Sequence, residues 1–316
     1  NSFRFNAEQL LTGETSEARS PSSRFRQRVH VQYTGGGHDQ HPLASFLFRS
    51  TTTGWISSDR QRLFVIEDAA VLGTQNYNYF WNRSEPQDPL GRDISSNRLV
   101  AYDLETGRRL WQVGGTAMGE AFDLPHAGTY FLGPPVIEGD DLFAIGELDR
   151  EIRLFVLNPQ TGEPRWSQPL ALTGAGIEQD SVRRLWAAPP AVTDGMILCP
   201  TTVGWLVAID RQTRRLSWAH RYTPRDLNNR RRMRGMATQS LQSLNTRWVP
   251  SAPLVSGHHV LFAPPELPDE FGNTRPQLIC LDLRTGKKVW HLEKENLLYP
   301  AGIVDDPLLI IGDRHV

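Results

Sequence analysis

The residue types that suit chemistry are scattered through this chain, and few lie at a spacing that would let them act together. Thr34-Gly-Gly-Gly37-His38-Asp39-Gln40-His41 joins a glycine run to two histidines three residues apart. It lacks the Lys-Ser/Thr ending of a phosphate-cradling Gly-x-x-x-x-Gly-Lys-Ser/Thr loop. Zinc there would need His38, His41 and Asp39 to converge with a distant ligand; the other reading is a flexible entry loop. His258-His259 falls where a turn meets a strand, so one of the two side chains should face water. Glu266-Leu-Pro-Asp269-Glu270 and Asp140-Asp141 are acidic loops or turns that imply no partner. No serine–histidine–acid set can be read by spacing, because triads assemble from distant segments. Cys199 and Cys280 lie in separate apolar runs and read as buried free thiols, with a bridge between them the alternative. Neither sits in a Cys-x-x-Cys or Cys-x-x-Cys-His pattern, which speaks against a zinc ribbon and haem attachment.

Composition narrows the partners. Formal net charge is -1, so no whole-molecule field draws the protein toward polyanions. Nucleic acid is disfavoured as a partner, since no recognition module accompanies that balance. No run approaches the roughly 18 apolar residues of a membrane-spanning helix. With 26 Gly and 22 Pro and no long apolar helical stripe, the chain reads as many strands and turns.

Those strands are organised by a repeat. Four times an Asp or Asn is followed three residues later by Thr and eight residues later by Trp. The sets are Asp103, Thr106, Trp111; Asn158, Thr161, Trp166; Asp210, Thr213, Trp218; and Asp282, Thr285, Trp290. Four of the nine Trp therefore share one register, which coincidence does not produce. A period of roughly fifty to seventy residues means an array of like units. Around each copy the residues alternate as in a half-buried strand, and Thr-Gly suits a tight turn whose Gly takes positive φ. The Asp or Asn can bond that turn's amides. Each unit is thus a β-hairpin with Trp on its second strand. A further pair of short strands precedes each hairpin, as in Gly133-Pro-Pro-Val-Ile-Glu-Gly139 before Asp141-Leu-Phe-Ala-Ile145. Four antiparallel strands per unit is the blade of a β-propeller. A solenoid is the structural alternative.

Ala101-Tyr-Asp103-Leu-Glu-Thr106-Gly107-Arg-Arg-Leu-Trp111 resembles the tryptophan-docking motif of the PQQ-like propellers, the quinoprotein alcohol dehydrogenase-like superfamily. The resemblance covers about residues 54–311. It implies an all-β propeller, with blades at about 54–113, 133–170, 188–222 and 251–293, and a partial one at 300–316. It further implies that Trp111, Trp166, Trp218 and Trp290 staple neighbouring blades by packing on the Gly region of an adjacent motif. Arg214 stands where the other copies have Gly, which costs strain if that position has positive φ. Val156, Cys280 and Asn158 are smaller departures. Quinoprotein dehydrogenases of the family carry an adjacent Cys-Cys pair, calcium-binding carboxylates and a catalytic Asp. This chain has no adjacent cysteines and no Asp-x-Asp-x-Asp-Gly loop, so no cofactor is expected; PQQ with calcium is the alternative. The non-catalytic branch includes the propeller lipoprotein of the outer-membrane β-barrel assembly machinery. The chain most resembles a third group, large bacterial repeat proteins without assigned chemistry. The resemblance alone carries a periplasmic or otherwise extracytoplasmic expectation. Four blades rarely close such a ring, so the expectation is a piece of a protein with seven or eight. Residues 1–50 show no repeat and read as an arm or linker, or part of a preceding blade.

Sorting the connections by face yields the main functional expectation. In an up-and-down blade the first–second and third–fourth turns share one face of the disk, and here all of these are tight. The long segments 68–97, 114–132, 171–187, 221–250 and 264–276 all belong to the opposite face. Loops beyond about 12–15 residues are uncommon unless functional or disordered; insertions tolerated without a role are the other explanation. Tyr77, Tyr79, Phe80 and Trp81 suit a recognition patch or a cover over their own blade. Arg230, Arg231, Arg232 and Arg234 suit a solvated loop or contact with an acidic partner. The expectation is a non-catalytic scaffold for protein or ligand binding; the alternative is a PQQ- and calcium-dependent oxidoreductase.

Overall fold

The computed structural model describes residues 56–67, 95–119, 123–180, 183–184, 187–222, 252–264 and 277–293, with the backbone of 297–303 and 308–312. All fall in the second of two compact units, Ser50–Val316. Their regular structure is all β, apart from short helical turns in the segment after residue 173.

The first blade is β1 (Ile56–Ser58), β2 (Arg62–Glu67), β3 (Arg98–Asp103) and β4 (Arg109–Gly114), paired in that order. The third is β10 (Ala191–Val192), β11 (Met196–Pro200), β12 (Trp205–Asp210) and β13 (Leu216–Arg221). The fourth is β14 (Leu254–Ser256), β15 (His259–Phe262), β16 (Gln277–Asp282) and β17 (Lys288–Glu293). A two-stranded sheet follows, β18 (Leu297–Ile303) and β19 (Leu308–Gly312). Every pairing in these sheets is antiparallel between neighbours in sequence, as a meandering propeller blade requires.

The second blade departs from four strands. Its innermost strand is split into β5 (Tyr130–Phe131) and β6 (Val136–Glu138), both paired with β7 (Asp141–Leu148). β8 (Glu151–Leu157) and β9 (Pro164–Leu172) complete it. The sequence places the end of the preceding link at residue 132, yet Tyr130 and Phe131 are already strand. Pro134 and Pro135 have no N–H to give the ladder, so pairing lapses there and resumes at Val136.

The core lies between blades. Successive side chains of a strand point to opposite faces, and blade two is buried on both. Leu142 and Ala144 of β7, with Phe155 and Leu157 of β8, pack against Phe64, Leu99, Ala101 and Trp111 of blade one. Phe143, Ile145, Leu154 and Val156 turn the other way, onto Ile197, Cys199, Val207 and Ile209 of blade three. Blade three repeats the pattern, setting Leu206, Ala208 and Trp218 against Val260, Phe262, Ile279 and Leu281 of blade four. Cys199 and Cys280 are both buried and free.

A bulge recurs at one motif position in all four hairpins. Ala101, Val156, Ala208 and Cys280 lie directly opposite Trp111, Trp166, Trp218 and Trp290, and the register shifts at the next residue. One extra residue on the outer strand bends it and strengthens its twist. In the first three hairpins the Trp beside this bulge reaches the following blade.

Candidate functional site

The repeat residues form the frame on which the functional face is mounted. Asp103 Oδ1 accepts the Thr106 amide and hydroxyl at 2.8 and 2.6 Å. Asp210 and Asp282 hold Thr213 and Thr285 in the same way. Hydrogen bonds from those Thr groups keep the three carboxyls below the usual carboxylate range. Asn158 departs: its Oδ1 accepts the Gln160 amide at 2.8 Å, and the Thr161 hydroxyl turns to Glu163.

Trp111 is nearly buried, and its Nε1–H donates to the Pro159 carbonyl of the next hairpin at 3.0 Å. A Cβ on Gly162 would lie 2.7 Å from Trp111 Cε3, so the ring rests where only Gly leaves room. Trp218 repeats the contact on blade four, donating to the Leu283 carbonyl at 2.8 Å above Gly286. At the junction of blades two and three the equivalent residue is Arg214, held at φ 58°. Its guanidinium lies over the Trp166 ring at 5.3 Å, and Trp166 remains half-buried. Trp290 is 41% exposed.

These hairpins and the tight turns at 59–61, 139–140, 193–195 and 257–258 share one face by strand order. The links between blades emerge on the other. Of the expected loop segments, 68–94, 223–251 and 265–276 lie outside the described residues, and with them Tyr77, Tyr79, Phe80, Trp81, Arg230, Arg231, Arg232 and Arg234.

Two links are described in part, without 120–122, 181–182 and 185–186, and their described residues are pinned. In 114–129 the Gly114 amide donates to Pro125 and Gly128 donates to Gly115. Asp123 accepts the Met118 and Gly119 amides at 3.1 and 2.9 Å. Buried Asn97 pairs with both backbone groups of Phe131, at 2.7 and 2.9 Å, and so ties the start of β3 to blade two. His126, at φ 61°, packs edge-on to Phe155, with ring centroids 4.7 Å apart. Burial and nearby Arg153 lower its pKa.

The second link, 173–187, is organised by one buried carboxylate. Glu147, near the loop-side end of β7, pairs with buried Arg183. It also accepts the Ile177 amide, and the Thr173 hydroxyl lies 3.5 Å away. Arg183 further donates to Asp180 at 2.9 Å and to the Ala175 carbonyl at 2.6 Å. Burial pushes the Glu147 carboxyl above its usual range, while Arg183 and the Ile177 amide pull it back. Arg184 lies over the Tyr130 ring at 4.9 Å. The Tyr130 hydroxyl reaches the Arg184 carbonyl at 3.3 Å. Beside these links, Met118 and Leu172 are 75% and 78% exposed.

Sequence reasoning passed over Asn97, Glu147, Arg183 and Asp123. Glu147 had a signal: it is a carboxylate inside the apolar run Leu142-Phe-Ala-Ile-Gly-Glu-Leu148, where an ion must find a partner. The spacing that identifies hairpins carries no trace of the other three.

As chemistry, the described face offers placement more than reaction. Among the described residues no group of three or more His, Cys, Asp or Glu could hold a metal. Cys199 and Cys280 sit in separate blades and supply no adjacent pair. No helix among those residues is long and apolar enough to cross a membrane.

Residues 95–247 match the family model described as outer membrane protein assembly factor BamB. None of the curated proteins matches the sequence. Among solved structures, BamB from Moraxella catarrhalis aligns at 14% identity and TM-score 0.34, over 69% of this chain and 68% of that one. Quinohemoprotein alcohol dehydrogenase ADHIIG from Pseudomonas putida HK5 aligns at 13% identity and TM-score 0.37, over 82% of this chain and 37% of that one. A europium-containing methanol dehydrogenase aligns at 13% identity and TM-score 0.37, over 84% and 46%. The chain thus spans less than half the length of either dehydrogenase. At such scores these likenesses carry no weight beside the blades themselves. Four bulged Trp hairpins, each closing an antiparallel blade, make this a β-propeller, and residues 95–247 carry the PQQ-like repeat of the matching family.

Proposed function

We propose that this propeller is a non-catalytic scaffold that captures protein partners outside the cytoplasm, on the face bearing 68–97, 114–132, 171–187, 221–250 and 264–276. The observation that carries the reading is the pinning of 114–129 and 173–187. A tolerated insertion needs no buried anchor, yet buried Asn97 bonds Phe131 just past the first link and meets Gly115 and Thr129 through its backbone, and Glu147–Arg183 anchors the second. Exposed Met118, bonded to Asp123 in the first link, and exposed Leu172, at the end of β9 beside the second, are thereby presented on ordered backbone, and preorganised loops bind at smaller entropic cost. The description of the matching family, an assembly factor, supports the same class of function.

No cofactor forms part of this proposal. The described residues do not offer the cysteine pair or carboxylate set that PQQ with calcium would take. Two experiments test it. Deletion of 224–246 should leave the melting curve nearly unchanged and weaken capture of partner from native extract; undiminished capture would count against the loop face. Addition of PQQ and Ca²⁺ should produce neither a thermal shift nor dye-linked alcohol oxidation. A strong response in both would replace the scaffold by an oxidoreductase.

A further inference from the structure

The face opposite the links carries a separate charge pattern at blades three and four. In the hairpin 210–216, Asp210 is outnumbered by Arg211, Arg214 and Arg215; in 282–289, Asp282 is outnumbered by Arg284, Lys287 and Lys288. Asp210 and Asp282 are each committed to their own Thr. Arg211 is engaged with the Glu138 and Thr193 carbonyls and Arg214 with the Trp166 ring, whereas Arg215, Arg284, Lys287 and Lys288 are exposed. Each cation pair is followed by an exposed aliphatic residue, Leu216 at 60% and Val289 at 52%. Val289 is the bulged residue of its hairpin, so the backbone itself turns it outward.

The two hairpins form one surface. Trp218, two residues beyond Leu216, is docked on the neighbouring hairpin through Leu283 and Gly286. Half-buried His220 meets the Gly286 carbonyl at 3.1 Å. Blade one shows that the charge excess is not forced by the fold: there Leu110 repeats the exposed aliphatic, but Glu105 joins Asp103 and balances Arg108 and Arg109. Trp290, 41% exposed, follows Val289 at the edge of this surface.

We propose that the hairpins 210–216 and 282–289 are a docking surface for an anionic lipid bilayer. Protruding tips that pair cations with exposed aliphatics match a headgroup layer over hydrocarbon, where charge and apolar insertion act together. A single-stranded nucleic acid would instead call for a row of aromatic stacking platforms along a groove; here Trp290 is one exposed ring, and the Trp166 ring is covered by Arg214.

The test is cosedimentation of the whole chain with vesicles of phosphatidylglycerol and phosphatidylcholine, against phosphatidylcholine alone. Binding should require the anionic lipid and weaken with salt. Neutralising Arg215, Lys287 and Lys288 (R215Q, K287Q, K288Q) should lower the partition coefficient about five-fold per cation. Leu216→Ser with Val289→Ser should also lower it, with little change in salt dependence. Unchanged melting curves confirm that these surface variants fold. The proposal is overturned by absent binding to the anionic vesicles, or by binding that ignores both sets of substitutions. It is equally overturned if deletion of 224–246 alone abolishes binding. Equal affinity for soluble heparin, with no effect of the two serines, would mark a general polyanion patch and also defeat it.

Discussion

Gly162→Ala is the substitution whose cost the geometry sets most closely. Gly162 has φ 75°, a conformation that costs an L-residue about 1–2 kcal/mol. The new methyl would stand 2.7 and 2.8 Å from Trp111 Cε3 and Cδ2, so the ring must withdraw from the hairpin. Overpacking of that kind costs about 1–3 kcal/mol. The sum, about 2–5 kcal/mol, would be ambiguous by itself, but the chain contains its own control. Gly107 occupies the same motif position at φ 67°, and nothing lies within 4 Å of where its Cβ would be. Gly107→Ala should therefore cost only the conformational part, about 1–2 kcal/mol. The difference isolates the docking contact. Thermal melts of the two variants should differ by about 2–4 °C per kcal/mol for a body of this size. Trp fluorescence should shift to the red in Gly162→Ala alone, as Trp111 loses the Pro159 carbonyl and gains water. Equal destabilisation by the two substitutions would refute the claim that Trp–Gly docking stabilises the blade junction.

Three further outcomes follow from the same geometry. Glu147→Gln leaves buried Arg183 with only the partly exposed Asp180 carboxylate and should cost up to about 3–5 kcal/mol by chemical denaturation. Replacing both, Glu147→Leu with Arg183→Met, should recover much of that loss; a single variant costing under about 1 kcal/mol would mean the pair is not clamping the link. His126 and His220 both have folded pKa values lowered from 6.5, chiefly by burial, so the unfolded chain binds more protons just below that pH. Stability should be full above about pH 7 and decline as pH falls through 6.5 toward the lowered values, and His126→Asn with His220→Gln should flatten that slope; an unaltered slope in the double variant would remove these residues from the account. Burial raises the Cys199 and Cys280 thiols, so a thiol reagent at pH 8 should label neither in the folded protein and both after unfolding. Prompt labelling of Cys199 would contradict its burial between blades two and three.

What was legible beforehand followed from periodicity. The register of Asp103, Thr106 and Trp111 in four copies located each hairpin, because turn chemistry and strand alternation act over a few residues and leave a local imprint. Arg214 was readable as a departure at a glycine position, and its φ of 58° bears out the strain expected there. The recurrent bulge beside each Trp shows only in strand pairing. The split of the innermost strand at Pro134-Pro135 could be read from proline chemistry, yet the pairing of Tyr130 with Glu147 depends on residues seventeen apart in sequence. The clamps were hidden for the same reason. Asn97 meets Phe131 across 34 residues and Glu147 meets Arg183 across 36, and no motif spacing encodes such encounters. The hairpins are local; the face that they leave free is assembled at long range.

The most direct test of the scaffold reading is a photo-cross-linking scan of the whole protein in extract of its source cells. A photoreactive residue would replace Met118 or Leu172 on the link-bearing face, and Glu105 or Gln212 on the hairpin face. The account predicts discrete protein adducts from the first two positions and none from the others, with the Leu172 adduct lost and the Met118 adduct kept in the Glu147→Gln variant, which loosens only the second link. Adducts from Glu105 or Gln212 alone, or from none of the four, would contradict it.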